Sequence, residues 1–264
     1  MSSQRPKALI TGASSGIGAI YADRFAHRGH DLVLVARDEA RMHTLARRLK
    51  QETSVVVEVL KADLTSPADL ARVESFLRED QRIGVLVNNA GMAAHGSFAE
   101  PDIDDIERLL SLNVTALTRL AAAVVPRYLR QGGGAIINIA SVVALAPELP
   151  LGAYGATKAY VLTLSQTLQS ELGPRGIYVQ AVLPAATRTE IWERSGRDAN
   201  SLGAVMDVGE MVDAALVGFD RREAVTLPSL PNVDQWHAFD AARRAMLPNF
   251  GNAHAADRYS KAQT

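Results

Sequence analysis

Two side chains in the stretch AYGATKAY, residues 153–160, have the types and spacing of a proton-transfer device. Tyr154 and Lys158 stand four positions apart, and the continuation VLTLSQTLQSEL carries apolar residues at helical spacing. Both side chains should therefore project from one helix face. A free tyrosine has a pKa of about 10, too high to trade protons readily near neutral pH. A neighbouring ammonium favours the phenolate, so Lys158 is expected to lower that value. The same spacing is also that of an ordinary surface pair, and other residues must decide between the two.

A second stretch with chemistry in it is TGASSGIG, residues 11–18. It follows a strand-like segment and opens a helical one. Gly12, Gly16 and Gly18 allow a tight turn and close backbone approach, and a helix N-terminus offers unpaired N–H groups to a phosphate. The spacing is G-x-x-x-G-x-G rather than the commoner G-x-G-x-x-G of dinucleotide sites. The letters Gly12 to Gly16 also fit G-x-S-x-G, the nucleophile elbow of acyl hydrolases. That alternative places Ser14 as nucleophile and needs a late histidine, for which His237 and His254 are the candidates.

The elements that would position these residues alternate along the chain. KALIT (7–11), DLVLVA (31–36), VVVEVL (55–60), GVLVNN (84–89), AIINIA (135–140), IYVQAVLP (177–184) and AVTLP (224–228) read as strands. Helical stretches lie between them, notably 103–129 and 153–172. Near-continuous apolar strands separated by helices imply a parallel sheet covered on both faces. Right-handed crossovers then give an α/β, doubly wound, mostly parallel seven-stranded sheet of Rossmann type. A single domain is expected over 1–264, with its core at about 5–228 and a more irregular segment at 229–264.

Composition narrows the function classes. The chain has 264 residues, 47% of them hydrophobic, enough for one well-packed core, and a formal net charge of −1. No basic surplus suggests nucleic-acid binding. Cysteine is absent, which excludes disulfides and thiolate metal sites and suits a reducing cytoplasm. The N-terminus lacks the apolar core of a signal peptide. No continuous apolar run approaches the ~18 residues of a membrane span, so a soluble, cytoplasmic protein is expected. The histidines lack metal-ligand spacing, and no metal is expected.

Four motifs occur together in order: TGASSGIG, NNAG at 88–91, the asparagine of LNVTA, and Ser141 thirteen residues before YGATK. On these motifs the chain resembles the short-chain dehydrogenase/reductase family over about residues 5–190. The resemblance implies hydride transfer between NAD(P)H and a carbonyl or alcohol, with Asn113, Ser141, Tyr154 and Lys158 as the catalytic set. Tyr154 would be the acid/base, and Lys158 would lower its pKa and bind the nicotinamide ribose. Ser141 would orient the substrate oxygen. Asn113 would hold a water linking the lysine to solvent; on its own it reads as a polar residue at a helix bend. The cofactor cleft would be lined by Gly12, Ser14, Ser15, Gly16, Ile17 and Gly18. Asp63 and Leu64 after the third strand, Asn89, Ala90 and Gly91 after the fourth, and Tyr154 and Lys158 themselves would join them. Pro184, Ala185, Thr187 and Thr189 would complete the cleft. Ala185 departs from the family's usual glycine there, which leaves the nicotinamide-side contacts less defined than the catalytic four.

Matching LVLVARDEARM to the family puts Ala36 where an NAD-binding acid would stand. Arg37, next along, suits the 2′-phosphate of NADP(H). Asp38 would serve NAD(H) on a one-residue shift, but it also suits a helix N-cap. NADP(H) is the favoured cofactor and NAD(H) the alternative. Apolar letters in the loops, among them Val143, Leu145, Leu149, Ile191 and Trp192, suit an uncharged hydrophobic ketone or secondary alcohol, with Met92, His95 and Glu148 nearby. The family's equivalents of helices 103–129 and 153–172 form an oligomer interface, so a homodimer or homotetramer is expected. A competing class is a dinucleotide-sensing binding protein without turnover.

Overall fold

A computed structural model describes residues 6–93, 98–99, 101–149, 151–190 and 204–259. Seven parallel strands form one sheet in the order β3-β2-β1-β4-β5-β6-β7. They are β1 (Lys7–Thr11), β2 (Asp31–Ala36), β3 (Val57–Lys61), β4 (Ile83–Asn88), β5 (Gly134–Ile139), β6 (Ile177–Val182) and β7 (Val225–Thr226). The connecting helices are α1 (Gly16–His27), α2 (Glu39–Thr53), α3 (Pro67–Glu79), α4 (Ile103–Leu110), α5 (Leu117–Gln131), α6 (Gly152–Leu172) and α7 (Val208–Asp220).

Period-two alternation explains why the inner strands are apolar at most positions. On β1, Ala8 and Ile10 enter one core cluster with Tyr21, Phe25, Met42 and Leu216. Leu9, between them, enters the opposite cluster with Leu77, Leu120, Tyr128 and Leu172. Each strand residue thus buries against a helical layer, as a doubly covered sheet requires. The order reverses between β1 and β4, and the carboxyl ends of the strands at such a reversal are where these folds bind ligands.

Three expectations need correction. The third strand starts at Val57, not Val55. Ser54 takes a left-handed φ of 58°, and Asp31 accepts from the Val56 N–H at 2.9 Å, so Val55 and Val56 belong to the turn. The helix expected over 103–129 is interrupted by a π-helical turn at Ser111–Ala116. Read through that turn, Ile103–Gln131 is 29 residues with mean hydropathy 1.5 in its most apolar stretch, so among the described residues one helix is long and apolar enough to cross a membrane. Scattered Thr and Ser residues hide this from a search for unbroken apolar letters. Its residue Leu117 is buried; Leu120, Val124 and Tyr128 pack in an apolar cluster with Leu9, Leu86 and Ile136.

The chain divides into two compact units, Met1–Ser229 and Leu230–Thr264. The sheet lies wholly in the first. The second holds a helix, α8 (Val233–Ala245), whose N-cap Asn232 accepts from the Asp234 N–H. No residue of α8 is buried, and Trp236 and Phe239 lie with ring centroids 5.6 Å apart.

Candidate active site

The turn after β1 is held open by geometry rather than by side chains. Gly12 and Gly16 have φ of +67° and +53°, values that L side chains rarely adopt. A Cβ on Gly18 would collide with the Gly12 carbonyl and the Asn89 amide. One on Gly16 would lie 3.2 Å from the Thr189 methyl, so the segment after β6 packs directly on this turn. Ser15, the N-cap of α1, makes no side-chain cap bond, and the first turn carries no acidic residue. The backbone donors there are thus left to an anion.

Thr11 and Asn89 brace that turn. The Thr11 hydroxyl accepts from the backbone N–H groups of Asn89 and Ala90, each at 3.0 Å, and donates to the Val87 carbonyl. The Asn89 amide donates to the carbonyls of Thr11 at 2.9 Å and Gly12 at 3.3 Å. Its neighbour Asn88 is buried and donates to Asn138, which donates to Ser165 on α6. This buried chain ties β4 and β5 to the helix carrying Tyr154 and Lys158. Asn138 and Ser165 were not singled out from the sequence, although a polar residue inside the apolar run AIINIA is a readable signal.

The four expected catalytic residues converge. Lys158 is buried, donates to the Ile139 carbonyl at 2.9 Å, and sits 5.7 Å from the centroid of the Tyr154 ring. Ser141 lies beside the Tyr154 phenol and acts to lower its pKa; its hydroxyl donates to the Pro184 carbonyl at 3.3 Å. Asn113 lies in the π turn, a form that recurs at functional sites. Its amide donates to the Met92 carbonyl at 2.9 Å and to the Thr157 hydroxyl at 3.2 Å, and its oxygen accepts from the Met92 N–H at 2.9 Å. Thr157 in turn donates to the Tyr154 carbonyl. The asparagine therefore clamps the loop after β4 against α6, which the sequence did not reveal.

Electrostatics departs from expectation at the central pair. Burial pushes the Tyr154 phenol up to about 12, opposed by the neighbouring Ser141 hydroxyl. Burial pushes Lys158 down to about 8. The expected lowering of Tyr154 by Lys158 is thus not what governs this site: desolvation outweighs it. The tyrosine is held protonated near neutral pH.

Toward the far end of the cleft, Arg37 is exposed. Asp38 accepts from the Arg41 N–H at 3.0 Å, so it is the N-cap of α2. Burial acts to raise Asp63, but hydrogen bonds from the Thr65 hydroxyl and N–H, together with the Arg37 charge, hold it below the usual carboxylate range. Leu64 is buried beside it. Past β6, Pro184 is buried, Thr187 bonds back to the Ala185 carbonyl and Thr187 bridges to Met206. Val143 and Leu145 are half-buried in the turn before α6, and Glu148 and Leu149 are exposed. His95, Ile191 and Trp192 lie outside the described residues.

Ser14 lines an open cavity of about 450 Å³ with Ala19, Ala40, Arg41, Thr44, Leu45 and Arg48. Neither histidine nor carboxylate is among these residues, so a Ser14 triad has no partners there.

A sequence model described as short chain dehydrogenase matches residues 6–200. The fold is similar to that of a short-chain dehydrogenase from Sphingobium yanoikuyae in complex with NADPH, at 64% identity and a TM-score of 0.95, covering 96% of this chain and 99% of that one. It is also similar to the bulky-bulky ketone specific alcohol dehydrogenase from Comamonas testosteroni, at 57% identity and a TM-score of 0.90, covering 97% and 99%. Among sequences, an uncharacterized oxidoreductase from Staphylococcus saprophyticus is 32% identical over 229 residues, 86% of this chain and 94% of its own length.

Proposed function

The chain belongs to the short-chain dehydrogenase family, and on that premise we propose that it is an NADP(H)-dependent carbonyl reductase acting on uncharged, hydrophobic ketones, or the same enzyme oxidising the secondary alcohol. The observation carrying this reading is the buried Lys158 held by the Ile139 carbonyl 5.7 Å from the centroid of the Tyr154 ring, with Ser141 beside the phenol.

Bound nicotinamide would supply the hydride to the carbonyl carbon. This chain's own residues supply the proton and the geometry. Ser141 donates to the substrate oxygen and aims it at Tyr154, fixing the reacting atoms in place. Tyr154 gives its phenolic proton to that oxygen, and its raised pKa keeps the proton available near pH 7. Charge on Lys158 offsets the phenolate so formed. The Asn113 amide is already engaged with Met92 and Thr157, so a relay water from solvent would rest on its main-chain carbonyl.

The turn at Gly12–Gly18 and the free start of α1 fit a dinucleotide pyrophosphate, and Arg37 suits a 2′-phosphate. The NADPH complex of the Sphingobium yanoikuyae protein supports that choice. The Comamonas testosteroni enzyme, specific for bulky-bulky ketones, supports a ketone with two large substituents, in keeping with Val143, Leu145 and Leu149 along the cleft. We place the enzyme in the cytoplasm as a homodimer or homotetramer. The exposed Leu110 and Tyr160 on the long helices offer subunit contacts.

The reading is tested by following NADPH and NADH absorbance against ketones graded by substituent size. Turnover with NADPH that favours diaryl or aryl-alkyl ketones supports it. NADH-only turnover, or preference for charged or small substrates, contradicts it.

A further inference from the structure

Arg41, on the first turn of α2, makes a two-pronged ion pair with Glu190. Its Nη1 lies 2.6 and 2.8 Å from the two carboxylate oxygens. Its Nε also lies 3.4 Å from Asp38. Glu190 follows Thr189, the residue packed on Gly16 of the phosphate turn. The pair therefore ties the segment after β6 to α2, and Arg41 also lines the cavity shared with Ser14. Arg48, the cavity's other cation, is engaged by Asp23 and Glu52, so Arg41 alone among its cations is tied to the segment beyond the cleft. The side chains of Arg41 and Glu190 are 49% and 37% exposed. Pairs this open are worth about 0–1 kcal/mol, so another anion can displace the carboxylate cheaply.

We propose that Arg41 is a second ligand for the cofactor's 2′-phosphate, and that Glu190 is the internal anion which the phosphate displaces. The inference rests on the NADP(H) reading above and deepens it. A phosphate offers Arg41 the same two-oxygen geometry with more charge. A cofactor with a 2′-hydroxyl cannot compete, and leaves the Arg41–Glu190 pair closed. Discrimination then comes from exchanging one anion for another, with Arg37 as the fixed cation and Arg41 as the gated one.

The test is direct binding by titration, without turnover. Adenosine 2′,5′-bisphosphate, AMP, NADPH and NADH are titrated into the wild-type protein and the R37A, R41A, E190Q and R41A/E190Q variants. R41A should weaken the two 2′-phosphorylated ligands roughly 10-fold and leave AMP and NADH within about 2-fold. E190Q should tighten the phosphorylated ligands about 3-fold by removing their competitor, and that gain should vanish in R41A/E190Q. Equal effects of R41A on phosphorylated and unphosphorylated ligands would make the pair a structural tie and overturn the inference, as would no effect at all. Discrimination present in wild type and lost in R37A but intact in R41A overturns this inference and spares the NADP(H) reading. A wild-type protein indifferent to the 2′-phosphate overturns both.

Discussion

Ser141 sits beside the Tyr154 phenol and is the one neighbour that pulls the phenol's pKa back down against burial. Ser141 follows β5 and Tyr154 sits on the first turn of α6, so the pair brings the sheet edge and the helix together at the site. Ser141→Ala should lower kcat by about 10²–10³, with the NADPH Kd unchanged. The alkaline limb of any activity profile set by Tyr154 should also move upward. Steady-state kinetics across pH alongside a cofactor titration separates these effects; an equal loss of cofactor affinity would point to a collapsed cleft instead.

Lys158 pays for its position. Its pKa is pushed down to about 8 by burial, so keeping it charged costs the folded state. The unfolded chain binds more protons than the folded one between that value and the ordinary lysine pKa of about 10.4. Stability from this group therefore rises with pH across the window and is lowest below it. Lys158→Met should raise Tm near pH 7 by a few degrees, roughly 1–3 kcal/mol, while removing turnover. The gain should shrink as pH climbs through the window. A variant that melts lower at pH 7 would mean the Ile139 carbonyl contact outweighs the desolvation.

Asn113 tests whether the π turn serves the site. Asn113→Ala strips partners from the Met92 N–H and carbonyl and from Thr157. Each buried group left unpaired costs about 1–3 kcal/mol, so a loss of about 2–4 kcal/mol in urea unfolding is expected, with kcat falling further than KM rises. Full activity with reduced stability would limit Asn113 to a structural clamp.

Gly18 has no room for a methyl: the obstacle is the Gly12 carbonyl, which is backbone. Gly18→Ala must move the phosphate turn itself. Overpacking of this kind costs about 1–3 kcal/mol, and NADPH affinity should fall at least 10-fold in titration. Retained affinity would show that the turn does not hold the pyrophosphate.

How much of this was legible in the letters varies with the cause. KALIT and DLVLVA match β1 and β2 residue for residue, because the interior positions of strands buried on both faces form a continuous apolar run. The start of the edge strand β3 lies two residues beyond the expected one, because it depends on the left-handed Ser54 rather than on hydrophobicity. Tyr154, Lys158, Ser141 and Asn113 were found through ordered motifs, and the fold brings them together. What spacing could not carry was environment: the i, i+4 rule placed Lys158 near Tyr154 but said nothing of the burial that governs both pKa values. The π turn was hidden for a similar reason, since the local hydrogen-bond register is not written in propensity. The Asn88–Asn138–Ser165 chain spans three elements and becomes visible only once β4, β5 and α6 are adjacent.

Tyr154→Phe puts the central claim to its most direct test. The substitution removes one oxygen and leaves the ring beside Lys158. Single-turnover oxidation of bound NADPH by a bulky aryl ketone should slow by at least about 10³-fold, with NADPH affinity within about 3-fold of the parent. Hydride transfer at the parent rate in the phenylalanine variant would contradict the account, because the proton for the carbonyl oxygen would then not come from Tyr154.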